Sequence, residues 1–230
     1  MDIKRALIVG TGPGISASFA RGLSARGCQV MLAGRTQEKL SGLAAEIGAQ
    51  TVLCDAGDPE SVAGMFAQAD AAMGGVDLVL FNPSARARGP LVDLDPAAVE
   101  NVLRISAYGG FLVAQQAAKR MLAQGHGAIF FTGASASVKG YANSSSFAMG
   151  KFALRGLAQS MARELSPKNI HVAHFVIDGG VRSAARAEDA NRPDSMLDPD
   201  AIAQTYLAVL DQPRNAWSWE VELRPFVETF

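Results

Sequence analysis

An excess of charge of either sign is missing from this sequence. Its 230 residues carry 21 Lys and Arg against 22 Asp and Glu, so no net field favours a nucleic acid or an anionic membrane as partner. Cysteine is nearly absent: Cys28 and Cys54 are the only two. Both lie in apolar, strand-like runs without metal spacing, so they read as reduced core thiols and no metal site is expected. No apolar run reaches the roughly 18 residues of a membrane span. Residues 1–5 lead straight into an apolar strand and leave no room for a signal peptide, so a soluble, cytoplasmic protein is the expectation. Repeats and low-complexity linkers are also lacking. The chain reads as one domain over 1–230, long enough to bury a substantial core.

What the sequence does contain is alternation. Residues 6–9 form a short apolar strand, and Gly10, Gly12 and Gly14 follow within five positions. Ile15, Phe19 and Leu23 then recur every four residues, which is one face of a helix. A strand, a glycine turn and a helix N-terminus in that order make an anion site, because backbone N–H groups can approach a phosphate closely. The spacing alone also suits a bare strand–turn–helix with no ligand.

Further strands are predicted near 28–33, 51–54, 77–81, 128–132, 170–177 and 219–223, with helical periodicity between them. Strict alternation with short connections predicts a Rossmann-like α/β fold, a doubly wound parallel sheet of about seven strands with helices on both faces. The helical stretches 96–123 and 147–165 matter for assembly. The second is apolar around much of its girth, so part of its burial could come from another subunit, as a homodimer or homotetramer. From 181 to 199 the sequence turns polar and irregular. Such a segment is expected as a mobile loop on the substrate side, with simple surface disorder the alternative.

Ligands of an open parallel sheet sit beyond the carboxyl ends of its strands. Those ends carry the turn from Gly10 through Pro13 to Gly14, then Arg35, Asp55, Asn82, Ser84, Ser135 and Gly179. A dinucleotide is the ligand that uses so many strand ends at once. An acidic residue after the second strand would favour NAD, but Gly34-Arg35 stands there instead. Arg35 can pair with a 2′-phosphate through a charge-assisted fork, which leans to NADP over NAD. An arginine near the start of a surface helix is otherwise ordinary. Asp55 could accept from an adenine amino group or simply form a turn.

These residues together resemble the short-chain dehydrogenase/reductase family over essentially the whole chain. The family's glycine motif falls on Gly10-Thr11-Gly12-Pro13-Gly14-Ile15-Ser16, with Ser16 at its usual third glycine. Its Asn-Asn-Ala-Gly segment falls on Phe81-Asn82-Pro83-Ser84, and its Pro-Gly segment on Asp178-Gly179. The resemblance implies a catalytic Asn, a Ser and a Tyr-x-x-x-Lys pair. The Tyr passes a proton to the developing alkoxide, and the Lys lowers its pKa and holds the nicotinamide ribose. Here those positions align on Ser106, Ala134, Phe147 and Lys151, so only Lys151 survives.

Phe147 cannot donate or accept a proton, and Ala134 has no hydroxyl to polarise a carbonyl. Positioned acid–base transfer is worth about 10² to 10⁴ in rate and an oxyanion donor about 10² to 10³, so the family's usual route should be slower by orders of magnitude. Ser106, Ser135, Tyr141, Tyr108, residues 144–146 and Lys151 itself are candidate stand-ins, each with a structural reading beside it. His126, His171 and His174 read as structural. Two functions compete: a nicotinamide-dependent oxidoreductase with a rearranged site, acting on a small carbonyl or alcohol, and a non-catalytic NADP(H)-binding regulatory or partner protein. The fold permits both.

Overall fold

A computed structural model describes residues 2–228 of the chain. Seven strands, β1 (Arg5–Val9), β2 (Gln29–Gly34), β3 (Gln50–Leu53), β4 (Leu78–Phe81), β5 (Gly127–Thr132), β6 (Ile170–Ile177) and β7 (Glu220–Leu223), form one sheet in the order β3-β2-β1-β4-β5-β6-β7. Every pairing is parallel. The helices α1 (Ile15–Ala25), α2 (Glu38–Ile47) and α7 (Pro199–Leu210) cover one face, while α3 (Pro59–Met73), α5 (Gly109–Gln124) and α6 (Ser145–Leu165) cover the other. This double cover explains the composition of the strands. Ile8, Leu32 and Leu80 face α1, and their neighbours Leu7, Met31 and Val79 face α3 and α5, all buried. A strand covered on both sides is apolar at successive positions rather than at alternate ones.

Helix starts are written locally. Asp58-Pro59, Asp95-Pro96 and Asp198-Pro199 each place an aspartate at the cap and a proline in the first turn. The carboxylates accept from the N–H groups of Ser61, Ala97 and Asp200. The second of these opens α4 (Pro96–Leu103), which passes through a π-helical turn (Arg104–Tyr108) into α5. Gly110 lets α5 press against α6, since a Cβ there would lie 2.5 Å from Leu154 Cδ1.

The order of strands turns at β1, whose neighbours are β2 and β4. Beyond this point Gly10 and Thr11 N–H both donate to Ala33 O at 3.0 Å, and Asn82 N–H donates to Val9 O at 2.9 Å. The chain therefore splays apart here and leaves a crevice. The 181–199 segment lies beyond β6 and folds back on itself: Arg182 N–H donates to Leu197 O, and Ser183 and Arg186 exchange two backbone bonds. Cys28 and Cys54 are free thiols, and burial pushes the Cys54 thiol up to about 11. Among the described residues, no helix is long and apolar enough to cross a membrane.

Candidate functional site at the carboxyl edge of the sheet

The glycine turn is braced from within. Gly10 has φ +80°, and a Cβ there would fall 2.6 Å from Pro83 N, so the turn closes directly onto the chain leaving β4. Ser16, fully buried, donates from Oγ to Gly10 O at 3.1 Å, and Asn82 Nδ2 donates to Ser16 Oγ at 2.8 Å. Asn82 thus ties β4 to the turn. Gly14 caps α1 with no side chain accepting the first-turn amides and no acid in that turn, so free donors and the positive helix end face outward. A Cβ on Gly12 would meet nothing within 4 Å.

Above the turn opens a cleft of about 710 Å³. Its walls bring together Gly10, Gly12, Pro13, Arg35, Asp55, Asn82 and Ser84, and they add Thr36 and Lys39, which sequence reasoning missed. Lys39 lies in the first turn of α2, and Arg35 in the bend that leads to it from β2, so the two cations border the same end of the cleft. Asp55 is partly committed: Oδ1 accepts from Gly57 N–H at 2.9 Å and Oδ2 from Arg104 Nη1 at 3.2 Å. The Gly57 bond first, and the Arg104 and Arg35 charges after it, hold its carboxyl below the usual range against the cost of burial. Ile15 opens α1 beside the turn. Gly179 follows β6 outside the cleft walls, where a Cβ would lie 2.6 Å from Pro225 Cδ.

Lys151 lies further along the same edge of the sheet, on α6. Its side chain is buried, and Nζ donates to Thr132 O at 2.7 Å. Burial first, and the Arg86 charge second, push its pKa down to about 7. One helical turn earlier stands Phe147, buried in a small apolar cluster with Ala134 and Ala136. Its ring centroid is 5.9 Å from Lys151 Nζ. The Arg86 guanidinium lies over the same ring at 4.0 Å, a contact with no sequence signal.

The hydroxyls around Phe147 are turned to the backbone. Ser106 Oγ accepts from Ala85 N–H at 3.3 Å, Ser137 Oγ from Ala134 N–H at 3.1 Å, and Ser146 Oγ donates to Ala87 O at 2.7 Å. Ser135 begins a short 3₁₀ turn, and Tyr141 is 46% exposed. Tyr206 hydrogen-bonds Thr132 Oγ1 at 3.1 Å but belongs to the α1 face of the sheet, and burial raises its pKa further. His171 and His174 are buried structural groups: His171 Nε2 meets Ser218 O at 2.9 Å, and His174 Nδ1 meets Glu220 at 3.1 Å.

Comparison with known proteins agrees with this arrangement. The profile of the short chain dehydrogenase family matches residues 4–193. An uncharacterized oxidoreductase of Staphylococcus aureus is 26% identical, over 96% of this chain and 97% of its own. The L-xylulose reductase of Mesocricetus auratus is 34% identical, over 74% of this chain and 68% of its own. A crystal structure of a short-chain dehydrogenase from Rhodopseudomonas palustris superposes with a TM-score of 0.82 at 36% identity, covering 97% of this chain and 99% of that one. A parallel sheet turning at β1, a glycine turn braced over a cleft and a family match across most of the length converge: this chain belongs to the short-chain dehydrogenase/reductase family of oxidoreductases.

Proposed function

We propose that the protein is an NADP(H)-dependent oxidoreductase that interconverts a small carbonyl compound and its alcohol, with a rearranged proton-delivery group. The observation that carries this reading is the two-ended cleft. Its glycine end, with Gly12 open to the cavity and the α1 amides free, fits a pyrophosphate. Its other end gathers Arg35, Thr36 and Lys39, a donor set that suits a 2′-phosphate better than bare ribose hydroxyls. Gly10, Pro13, Gly14 and Ile15 would shape the first end, Asn82 and Ser84 the floor between, and Asp55 would border the adenine. Lys151 and Gly179 would border the nicotinamide half.

Bound there, the nucleotide supplies or accepts a hydride. The chain must then supply a proton at the substrate oxygen. Phe147 and Ala134 bring neither acid nor hydroxyl. Lys151 is the side chain here that can hold or release a proton near neutral pH, because burial lowers its pKa to about 7. Ser106 could assist only by giving up its bond to Ala85 N–H, and Ser135 and Tyr141 are the further candidate hydroxyls. The exposed aromatic and aliphatic residues of α5 and α6 support association of copies as a dimer or tetramer. The substrate is a small molecule.

Nucleotide fluorescence titration tests this reading. NADPH is expected to bind more tightly than NADH, and Arg35→Asp should weaken NADPH by about tenfold or more while changing NADH little. Equal affinities would remove the NADP assignment. Failure to bind either nucleotide at millimolar concentration would overturn the oxidoreductase reading, and tight binding without turnover on a carbonyl panel would favour a non-catalytic nucleotide-binding role.

A further inference from the structure

We propose that the substrate of this site is an organic anion, a carbonyl or hydroxyl compound bearing a carboxylate or phosphate held by Arg86 with Arg88 and Arg186. The inference rests on the oxidoreductase reading for the reaction but on separate residues for the recognition. After Asn82 the chain runs without regular structure to Arg88, and exposure alternates: Arg86 and Arg88 are exposed, Ala85 and Ala87 half-buried. Alternation of this kind puts every second residue on one side, so the two arginines project together. The segment is pinned from behind, by Ser106 at Ala85, by Ser146 at Ala87, and by Asn143 O accepting from Gly89 N–H at 3.1 Å.

Arg86 is held as well as aimed. Its guanidinium lies 4.0 Å over the Phe147 ring, whose other neighbour is Lys151. Arg186 comes from the segment that follows β6. Its Nη1 is 3.5 Å from the position of a Gly180 Cβ, just past the end of β6. Burial first, and the charges of Arg88 and Arg186 after it, lower the Arg86 affinity for its proton.

Such a cluster is unfavourable unless an anion joins it. Among the described residues, none of the three has an ion pair with a carboxylate. The acids closest in sequence to Arg186 are engaged with the backbone, Glu188 with Met196 N–H and Asp189 with Asn191 N–H. Other arginines of the chain do meet an acid directly, as in Arg155–Glu220 and Arg26–Asp211. A planar guanidinium stacked on an aromatic ring presents a fork that fits a carboxylate in two bonds and a phosphate equally. The apolar floor of Phe147, Ala134 and Ala136 then suits the uncharged remainder of the molecule.

The test uses matched neutral and anionic probes and reads binding by calorimetry rather than turnover. Pyruvate is compared with methyl pyruvate, and dihydroxyacetone phosphate with dihydroxyacetone, on the whole chain with and without NADPH. At least one anion is expected to bind about tenfold or more tightly than its neutral partner. That advantage should vanish in Arg86→Met and survive in part in Arg86→Lys, with NADPH affinity unchanged in both. The pair that shows the advantage identifies carboxylate or phosphate as the group recognised. Equal binding within both pairs, no binding by any probe, or an advantage that persists in Arg86→Met would overturn the proposal. So would loss of NADPH affinity in Arg86→Met, which would assign Arg86 to the nucleotide. If the native chain binds no nucleotide, the oxidoreductase reading falls alone, and the nucleotide-free titrations still decide the arginine site.

Discussion

Phe147 sits among hydroxyls that have other work. For Ser106, Ser137 or Ser146 to polarise a substrate, each would give up a backbone bond worth about 1 kcal/mol and leave its backbone partner unpaired. Adding a phenol is the shorter route to an acid. In Phe147→Tyr the new hydroxyl would stand on a ring that already has Lys151 Nζ 5.9 Å and the Arg86 guanidinium 4.0 Å from its centre, and nearby cations favour the phenolate and lower its pKa. The double variant Phe147→Tyr with Ala134→Ser is expected to raise kcat/KM for carbonyl reduction by about 10² or more, read as NADPH oxidation. Each single change should give less than its share, because such groups act as a unit. A double variant no faster than the native chain would mean that the native residues already deliver the proton efficiently. Legibility divides sharply at this scale. Gly10, Asn82 and Lys151 are readable because strand ends and family spacing mark them. Arg86 is not, since nothing in Ala85-Arg86-Ala87-Arg88 says which ring an arginine will cover until β4 and α6 are brought together.

Secondary-structure elements are more legible in this sequence than its site. The central strands are visible as apolar runs because the sheet is buried on both faces there, while the edge strand β7 shows as alternation of Val221 and Leu223 with Glu220 and Glu222, and β6 is bounded at 170–177 by Asn169 and Asp178. Helices α3 and α7 start three residues before their first large apolar residues, Val62 and Ile202, at the Asp-Pro pairs that cap them. The π-helical turn between α4 and α5 leaves no such trace, since its one-residue wider ring depends on packing and not on residue type. Helix α6 shows what periodicity can and cannot decide. Phe147, Leu154, Ala158 and Leu165 are buried in this chain, yet Met149 and Phe152 are 49% and 44% exposed. Tyr108 and Phe111, at the π turn and the start of α5, are exposed too and stacked at 6.3 Å. Large apolar side chains gathered on neighbouring helices mark a surface that another copy would cover. Sedimentation should therefore find a dimer or larger assembly, and Phe111→Glu with Phe152→Glu should shift it toward the 24.1 kDa monomer. A native chain that sediments as a monomer would remove this face as an interface.

The buried bases Lys151 and His174 set the pH behaviour of the whole molecule. Lys151 ordinarily titrates at 10.5 and is held at about 7 by burial. Between those values the unfolded chain binds a proton that the folded chain lacks, so stability rises with pH by up to about 1.4 kcal/mol per unit. His174 works in the same direction at lower pH. Burial takes it from 6.5 to about 4, over the smaller opposing pull of Glu220, so stability falls as pH drops through that window. The carboxyls of Asp77 and Glu220 are lowered by their arginine partners against burial. Their contribution is complete above their unfolded values and is lost only in stronger acid, leaving the decline just below 6.5 to the histidines. At the alkaline end Cys54 acts with the opposite sign: the folded thiol keeps its proton from 9.0 to about 11 after the unfolded one has lost it, which halts the rise. The nucleotide-free protein is thus expected to melt highest near pH ~9, with Tm climbing about 2–4 °C for each kcal/mol gained in a chain of this size. Lys151→Met should flatten the climb above neutrality and raise Tm there at pH ~7, and His174→Gln should flatten the part below 6.5. Thermal unfolding across this range checks both, and a native Tm that falls from pH ~7 to ~9 would show that Lys151 keeps its charge when buried.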